Sequence, residues 1–253
     1  MADKTFAEYK QEMRDFWIQY AKERQGTQDK NSISTNQRDI RTIAEGLYDT
    51  FPQQPILGDR LAVCYAYGYL SSLPMPEDDY KKWRKHIKAF VNESPLNKTE
   101  NDGNLAFMLQ CLAVSHGSAS ENYSYAEKVL RKMTLRSRNN AQVVSLVGKL
   151  ARPYYEEMVA RADKKENFST YMQQIKAYDK AFSVLLKLPH GSRYREAVLL
   201  MEKMKPVYQE SEWGRLEWGR KSSSIRNRVF KSLPEEAKQA IRARRAQENW
   251  QCK

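Results

Sequence analysis

The side chains best able to do acid–base, nucleophilic or metal chemistry are thinly supplied. Histidine occurs three times, at His86, His116 and His190, and cysteine three times, at Cys64, Cys111 and Cys252. No two histidines stand at the i, i+4 spacing of a helical zinc motif, and the cysteines are too far apart to act as a ligand pair. No Gly-rich phosphate loop ends in Gly-Lys-Ser/Thr, and no G-x-S-x-G elbow occurs. No histidine follows an arginine by four to six residues, the arrangement of some helical ribonucleases. The acids Asp78-Asp79 and Glu156-Glu157 are sequence neighbours, and neighbours on a helix diverge by about 100°. The sequence thus predicts no catalytic residue, no metal and no cofactor, and an enzyme is not expected.

Cationic chemistry is well supplied. The chain carries 43 Lys and Arg against 31 Asp and Glu, a formal charge of +12, which points to an acidic partner. The excess lies in the second half. Residues 1–127 hold 15 basic and 18 acidic side chains, whereas 128–253 hold 28 basic and 13 acidic. Within 128–152 there are seven cations and no acid: Lys128, Arg131, Lys132, Arg136, Arg138, Lys149 and Arg152. On a helix Lys128, Arg131 and Lys132 stack at i, i+3, i+4 and repel one another unless something neutralises them. A polyanion is the expected answer. For Lys149 and Arg152, at the end of an expected helix, interaction with the helix dipole explains the charge equally well. The cations of 81–88 are offset by Glu77, Asp78 and Asp79 and read as a solvated face.

The tail pairs aromatic and basic residues. Trp213-Gly214-Arg215 recurs as Trp218-Gly219-Arg220, followed by Lys221, Arg226 and Arg228. An indole beside a guanidinium offers a stacking face and a phosphate contact, which suits single-stranded nucleic acid. The same tryptophans could instead dock on protein. These fourteen residues, from Lys128 to Arg228, are the candidate nucleic-acid contacts.

The elements that position them read as helices. Glycine and proline are scarce, at 10 and 9 of 253, and no segment alternates with period two. Phe6, Tyr9, Met13, Phe16, Trp17 and Tyr20 form one helical stripe, too aromatic to be left in water. A polar stretch over 25–37 reads as a linker, so the stripe is a candidate arm for self-association. Further helices are expected near 40–51, 56–73, 77–94 and 105–114. Beyond these come 122–136, 140–151, 153–163, 167–188, 192–210 and 233–249. Pro153 and Ser192 are read as helix starts, and Ser232 with Glu235 as a capping box. Echoes of Tyr-x-x-Ala at 178 and 194 lack the constant period of a repeat array.

The expected architecture is therefore all-α: a two-lobed helical bundle with N- and C-terminal arms. It comprises an arm and linker (1–35), an N-terminal lobe (36–100), a C-terminal lobe (101–211) and a basic arm (212–253). The first sixteen residues are charged rather than apolar, and no stretch has the roughly 18–20 apolar residues of a membrane span. Three unpaired cysteines and the lack of a leader suggest a reducing compartment. The sequons at Asn92, Asn97, Asn122 and Asn167 then read as chance. In size, helix content and arm layout the chain resembles nucleoproteins of segmented negative-strand RNA viruses and coat proteins of filamentous plant viruses. The resemblance is one of architecture, and no residue role is carried over from it. It implies sequence-independent packaging of single-stranded RNA, self-association through terminal arms, no membrane partner, and residence in the cytoplasm or a virion. The rival expectations are a helical protein–protein adaptor and a matrix-type protein with a basic membrane-facing surface.

Overall fold

Apolar residues at helical spacing, with hydroxyl residues ahead of several runs, dictate the local structure. Ser118, Thr134, Thr170 and Ser211 each accept a backbone N–H from three residues on, satisfying donors that a helix start leaves open. A computed structural model describes residues 4–23, 30–70, 76–115 and 117–251, with side chains over 4–21, 39–70, 76–115 and 117–243. Among the described residues there is no strand. The helices are α1 (Phe6–Glu23), α2 (Lys30–Asp49), α3 (Leu57–Leu70), α4 (Glu77–Glu93), α5 (Thr99–Val114) and α6 (Ala119–Lys132). They continue with α7 (Leu135–Arg138), α8 (Ala141–Asp163), α9 (Tyr171–Leu185), α10 (His190–Tyr208), α11 (Glu212–Lys231) and α12 (Glu235–Gln251). The all-α expectation is met. His116, Cys252 and the stretch 71–75, with Ser71, Ser72 and Pro74, lie outside the described residues, as do the side chains of Arg244 and Arg245.

The chain forms two compact units, residues 1–146 and 147–253. The division falls inside α8, not in the 94–104 stretch where a boundary between lobes was expected. Residues 99–104 are the first turns of α5.

In the first unit α3 is central and packs on α1, α2, α4 and α5. It is apolar around most of its circumference, with Ala62, Val63, Cys64, Ala66 and Tyr67 buried, as befits a helix with neighbours on several sides. Ile40 and Leu47 of α2, Trp83, Ile87 and Phe90 of α4, and Leu105, Met108 and Leu112 of α5 complete this core. Cys64 and Cys111 are buried free thiols, and burial pushes both upward from their ordinary pKa.

The α1 stripe lies on the chain's own core. Phe6 meets Phe51 edge-on at 5.9 Å, Phe16 and Tyr20 meet Tyr69 at 5.6 and 5.4 Å, and Trp17 touches Tyr65, Tyr69 and Phe107. Met13 is buried. Tyr9 lies over Gly46, where an added Cβ would sit 2.2 Å from its ring, so any larger residue there would displace the tyrosine. The 25–37 linker is shorter than expected, because α2 begins at Lys30. Ile33 is in register with Ile40 and Leu47 at i+7 and i+14, a periodicity that the surrounding polar residues obscured.

In the second unit α10 packs against both α9 and α11. Leu185, Leu188, Leu200, Met204, Ile225 and Val229 form its core. Gln174 donates to the Ala162 carbonyl at 2.8 Å and Tyr178 to Asp163 at 2.8 Å, tying α9 to the end of α8. Arg193 is buried and donates to the carbonyls of Leu188 at 2.6 Å and Ser232 at 2.9 Å. Burial pulls its pKa down from the usual guanidinium value.

Several expected boundaries move. The basic arm from 212 is helix α11, packed on α10. Its buried positions Gly214, Ser222, Ile225 and Val229 make too small an apolar stripe to stand out in sequence. Pro153 lies inside the continuous α8. The proline leaves the Lys149 carbonyl without its helical donor, and Pro153 is on the exposed side, where water can replace that bond. α10 begins at His190, ahead of Ser192. Ser232 terminates α11, its hydroxyl bonded to the Val229 carbonyl at 2.7 Å, and does not cap α12.

Candidate nucleic-acid interface

Two helices set the register of the basic surface in the first unit. α4 and α6 run parallel. Tyr80 donates to Asn122 at 3.0 Å near their starts, Arg84 in the middle of α4 pairs with Glu121, and Lys132 donates to the carbonyls of Asn92 at 3.0 Å and Ser94 at 2.8 Å near their ends. Lys132 therefore caps the C-terminus of α4, where the helix dipole favours a cation.

The turn that follows is held just as firmly. Asn97 has a positive φ of 54°, a conformation asparagine tolerates better than most residues. Its N–H donates to the Lys132 carbonyl at 2.9 Å. Arg138 folds back to donate to the carbonyls of Met133 at 2.9 Å and Arg131 at 3.1 Å, and to the Asn97 side chain at 3.3 Å. It satisfies the last carbonyls of α6. Asp102, from α5, accepts the Thr134 N–H at 3.0 Å, the Thr134 hydroxyl at 2.5 Å and the Ser137 hydroxyl at 2.6 Å. Burial pushes the Asp102 carboxyl up, but these bonds and the nearby Arg138 outweigh it and hold the pKa below its ordinary value.

The seven cations of 128–152 consequently divide. Lys132 and Arg138 are structural caps. Arg152 joins α8 to α10 through Glu196 at 2.6 Å, with Glu156 at 3.8 Å. The acid-free stretch acquires its acids from distant sequence. Lys128 is exposed with its ammonium 5.3 Å from the Tyr125 ring. Arg131, Arg136 and Lys149 are exposed and have no ion pair or hydrogen-bonded side chain among the described residues.

α11 divides the tail residues in the same way. Trp213 and Trp218 are five residues apart, about 140° around a helix, so they cannot share a face. Trp213 is 51% exposed, whereas the Trp218 ring lies 5.3 Å from Tyr208. Arg215 donates weakly to the Gln209 carbonyl at 3.4 Å. Arg220 pairs with Glu217 at 3.2 Å, Lys221 with Asp179 at 2.5 Å, and Arg228 stands over the Phe182 ring at 4.8 Å. Arg226 is exposed, without an ionic partner among the described residues.

Three more exposed cations lie in the first unit: Lys85 and Lys88, from the stretch read in sequence as a solvated face, and Lys98. The acids expected to offset 81–88 do so in part: Glu77 and Asp78 pair with Lys81 and Asp79 with Lys82, while Asp79 also takes Arg41, and none of the three pairs with Lys85 or Lys88. Lys88 follows Arg84 by one turn, on the side of α4 that faces α6. Lys98 sits in the turn clamped by Arg138. Two leucines join them at this corner, Leu96 at 62% and Leu135 at 71% exposed.

No group of three or more His, Cys, Asp or Glu that could hold a metal ion occurs among the described residues. His86 is buried against Phe51, 4.7 Å away, and burial, helped by Arg60 and Lys85, pushes its pKa down to about 4. Asn122 is enclosed by Tyr80, Ser115 and Gly117, which removes that sequon from glycan chemistry. No described helix is long and apolar enough to cross a membrane. No family model, curated protein or solved structure matches the chain.

Proposed function

We propose that the protein binds single-stranded RNA without sequence preference, as a packaging protein of the nucleoprotein or capsid kind that acts in the cytoplasm or a virion. The observation that carries this reading is the residue of charge left after structural pairing. Lys128, Arg131 and Arg136, with Lys85, Lys88 and Lys98, project from a rigid corner of the first unit and have no carboxylate partner among the described residues. Such cations gain by displacing the counterions of a phosphate backbone. In the second unit Lys149 and Arg226 remain, with Trp213 available for stacking.

The test is an RNA titration over a range of salt. Replacing Arg131 and Arg136 by Gln should weaken binding and lower the salt slope by roughly 0.7 per lost contact for a single strand. The melting temperature should hold. An unchanged slope in the folded double variant refutes this placement.

A matrix-type function is a second reading, favoured by one observation: Leu96 and Leu135 protrude beside the same cations, as in surfaces that enter an anionic bilayer. Co-sedimentation with phosphatidylserine vesicles that fails with phosphatidylcholine, and is lost in a Leu96→Ser, Leu135→Ser variant, would favour it over RNA.

A further inference from the structure

We infer that the space beneath α1 is a binding site for an amphipathic monocarboxylate, a linear acyl chain with an anionic head. The site shares no residue with the RNA corner and does not rest on that reading. A cavity of about 590 Å³ opens between α1, α3 and α5, within the size range of small-molecule sites. Small side chains create it. Ala7 stands on the α1 wall and Gly58 on the α3 wall, where an added Cβ would meet only the Lys10 ammonium, at 3.8 Å.

The walls are apolar. Met13 and Trp17 face in from α1, Leu61, Ala62 and Tyr65 from α3. Such a lining suits an acyl chain and offers too few hydrogen bonds for a sugar or nucleotide.

The polar groups at its edge select the head. Asp59 is fully engaged, pairing with Lys10 at 2.9 Å and accepting the Ile56 N–H at 3.2 Å. Tyr65 donates to the Asn104 side-chain oxygen at 3.0 Å, which leaves the Asn104 amide hydrogens open to a ligand. Gln11 donates to Asp15 at 2.9 Å. Arg14, on the same wall, is exposed and has no carboxylate partner among the described residues. Among the lining residues Lys10 is paired with Asp59, and Arg14 carries the charge that has no ionic partner among the described residues; Asp15, held by Gln11, lies outside the lining. A guanidinium pairs with a carboxylate through two parallel hydrogen bonds, so an acyl carboxylate satisfies chain and head together.

Isothermal titration of the full-length protein with dodecanoate, below its micelle concentration, tests the assignment, with 1-dodecanol as the uncharged control. One dodecanoate per chain is expected, bound more tightly than the alcohol. Arg14→Gln should weaken dodecanoate about tenfold or more, as loss of a charged hydrogen bond implies, and leave the alcohol unaffected. Gly58→Leu and Ala7→Phe fill the cavity from opposite walls, and either should abolish binding. Two fillers are used because one of them could fail to fold, which a thermal melt would reveal. Absence of saturable dodecanoate binding, equal affinity for the alcohol, or survival of binding in a folded filler variant overturns the proposal.

Discussion

Replacing Asp102 by Ala tests the reasoning about the basic corner most directly, because one side chain holds the start of α7. Its carboxylate accepts three hydrogen bonds, from the Thr134 N–H, the Thr134 hydroxyl and the Ser137 hydroxyl. Hydrogen bonds to a charged group are worth roughly 1.5–3 kcal/mol each, but the three do not simply add. Both hydroxyls are half-buried and can turn to water, whereas the Thr134 N–H loses an acceptor inside a packed turn. The expected loss is therefore about 2–4 kcal/mol. For a chain of this length that lowers the melting temperature by roughly 5–12 °C. Asp102→Asn, which keeps one acceptor oxygen, should fall between.

The loss should also depend on pH, with a definite sign. The folded carboxyl is held below its ordinary value of 3.8, so the unfolded chain binds the proton more readily. Its stabilisation is complete above the unfolded value and fades as pH falls through the folded one. Urea denaturation of wild type and Asp102→Ala should show a constant gap from pH 7 to 5 and a narrowing gap toward pH 3. Equal stability at pH 7, or a gap indifferent to acid, would refute the role given to Asp102.

Three further outcomes follow from particular contacts. His86 is kept neutral in the fold, with a pKa pushed down to about 4 from 6.5, so the unfolded chain takes up the extra proton between those values and stability should drop as pH falls from 6.5 to 4. At about 1.4 kcal/mol per pKa unit the drop reaches ~3 kcal/mol, and His86→Phe should flatten it in urea titrations at stepped pH. The two helical glycines of α11 should respond with opposite sign. An added Cβ at Gly214 would sit 2.1 Å from the Tyr208 carbonyl oxygen while Gly219 has open space, so Gly214→Ala should lower the melting temperature and Gly219→Ala should raise stability by about 0.5–1 kcal/mol. Because α1 covers Tyr65, Tyr69 and Phe107, deleting residues 1–23 should give an insoluble or markedly destabilised protein. A soluble, equally stable truncation would favour the exchangeable arm expected from the sequence.

The amino-acid sequence by itself determined the fold class, because apolar residues at 3.6-residue spacing and the scarcity of glycine, proline and alternating patterns leave only helices. It also determined that the basic charge is concentrated after residue 127, and that the stripe from Phe6 to Tyr20 must dock on protein. Only the tertiary structure decided which cations are free. Lys132 is consumed by Ser94, Arg138 by Asn97, and Asp102 reaches Ser137, partners that lie 38, 41 and 35 residues away in the chain. A linear reading sums charge over neighbours, whereas capping a helix end depends on which other helix end folds beside it. Beside Lys85 and Lys88 the pairing is mostly local: the acids at the start of α4 reach Lys81 and Lys82, one turn away, and only Asp79 also reaches a distant cation, Arg41. The Trp-Gly-Arg pair looked like one motif used twice. Helical rotation gives its two copies different surroundings, with Trp213 in solvent and Trp218 on Tyr208, and that rotation becomes visible only once the segment is known to be a helix docked on α10.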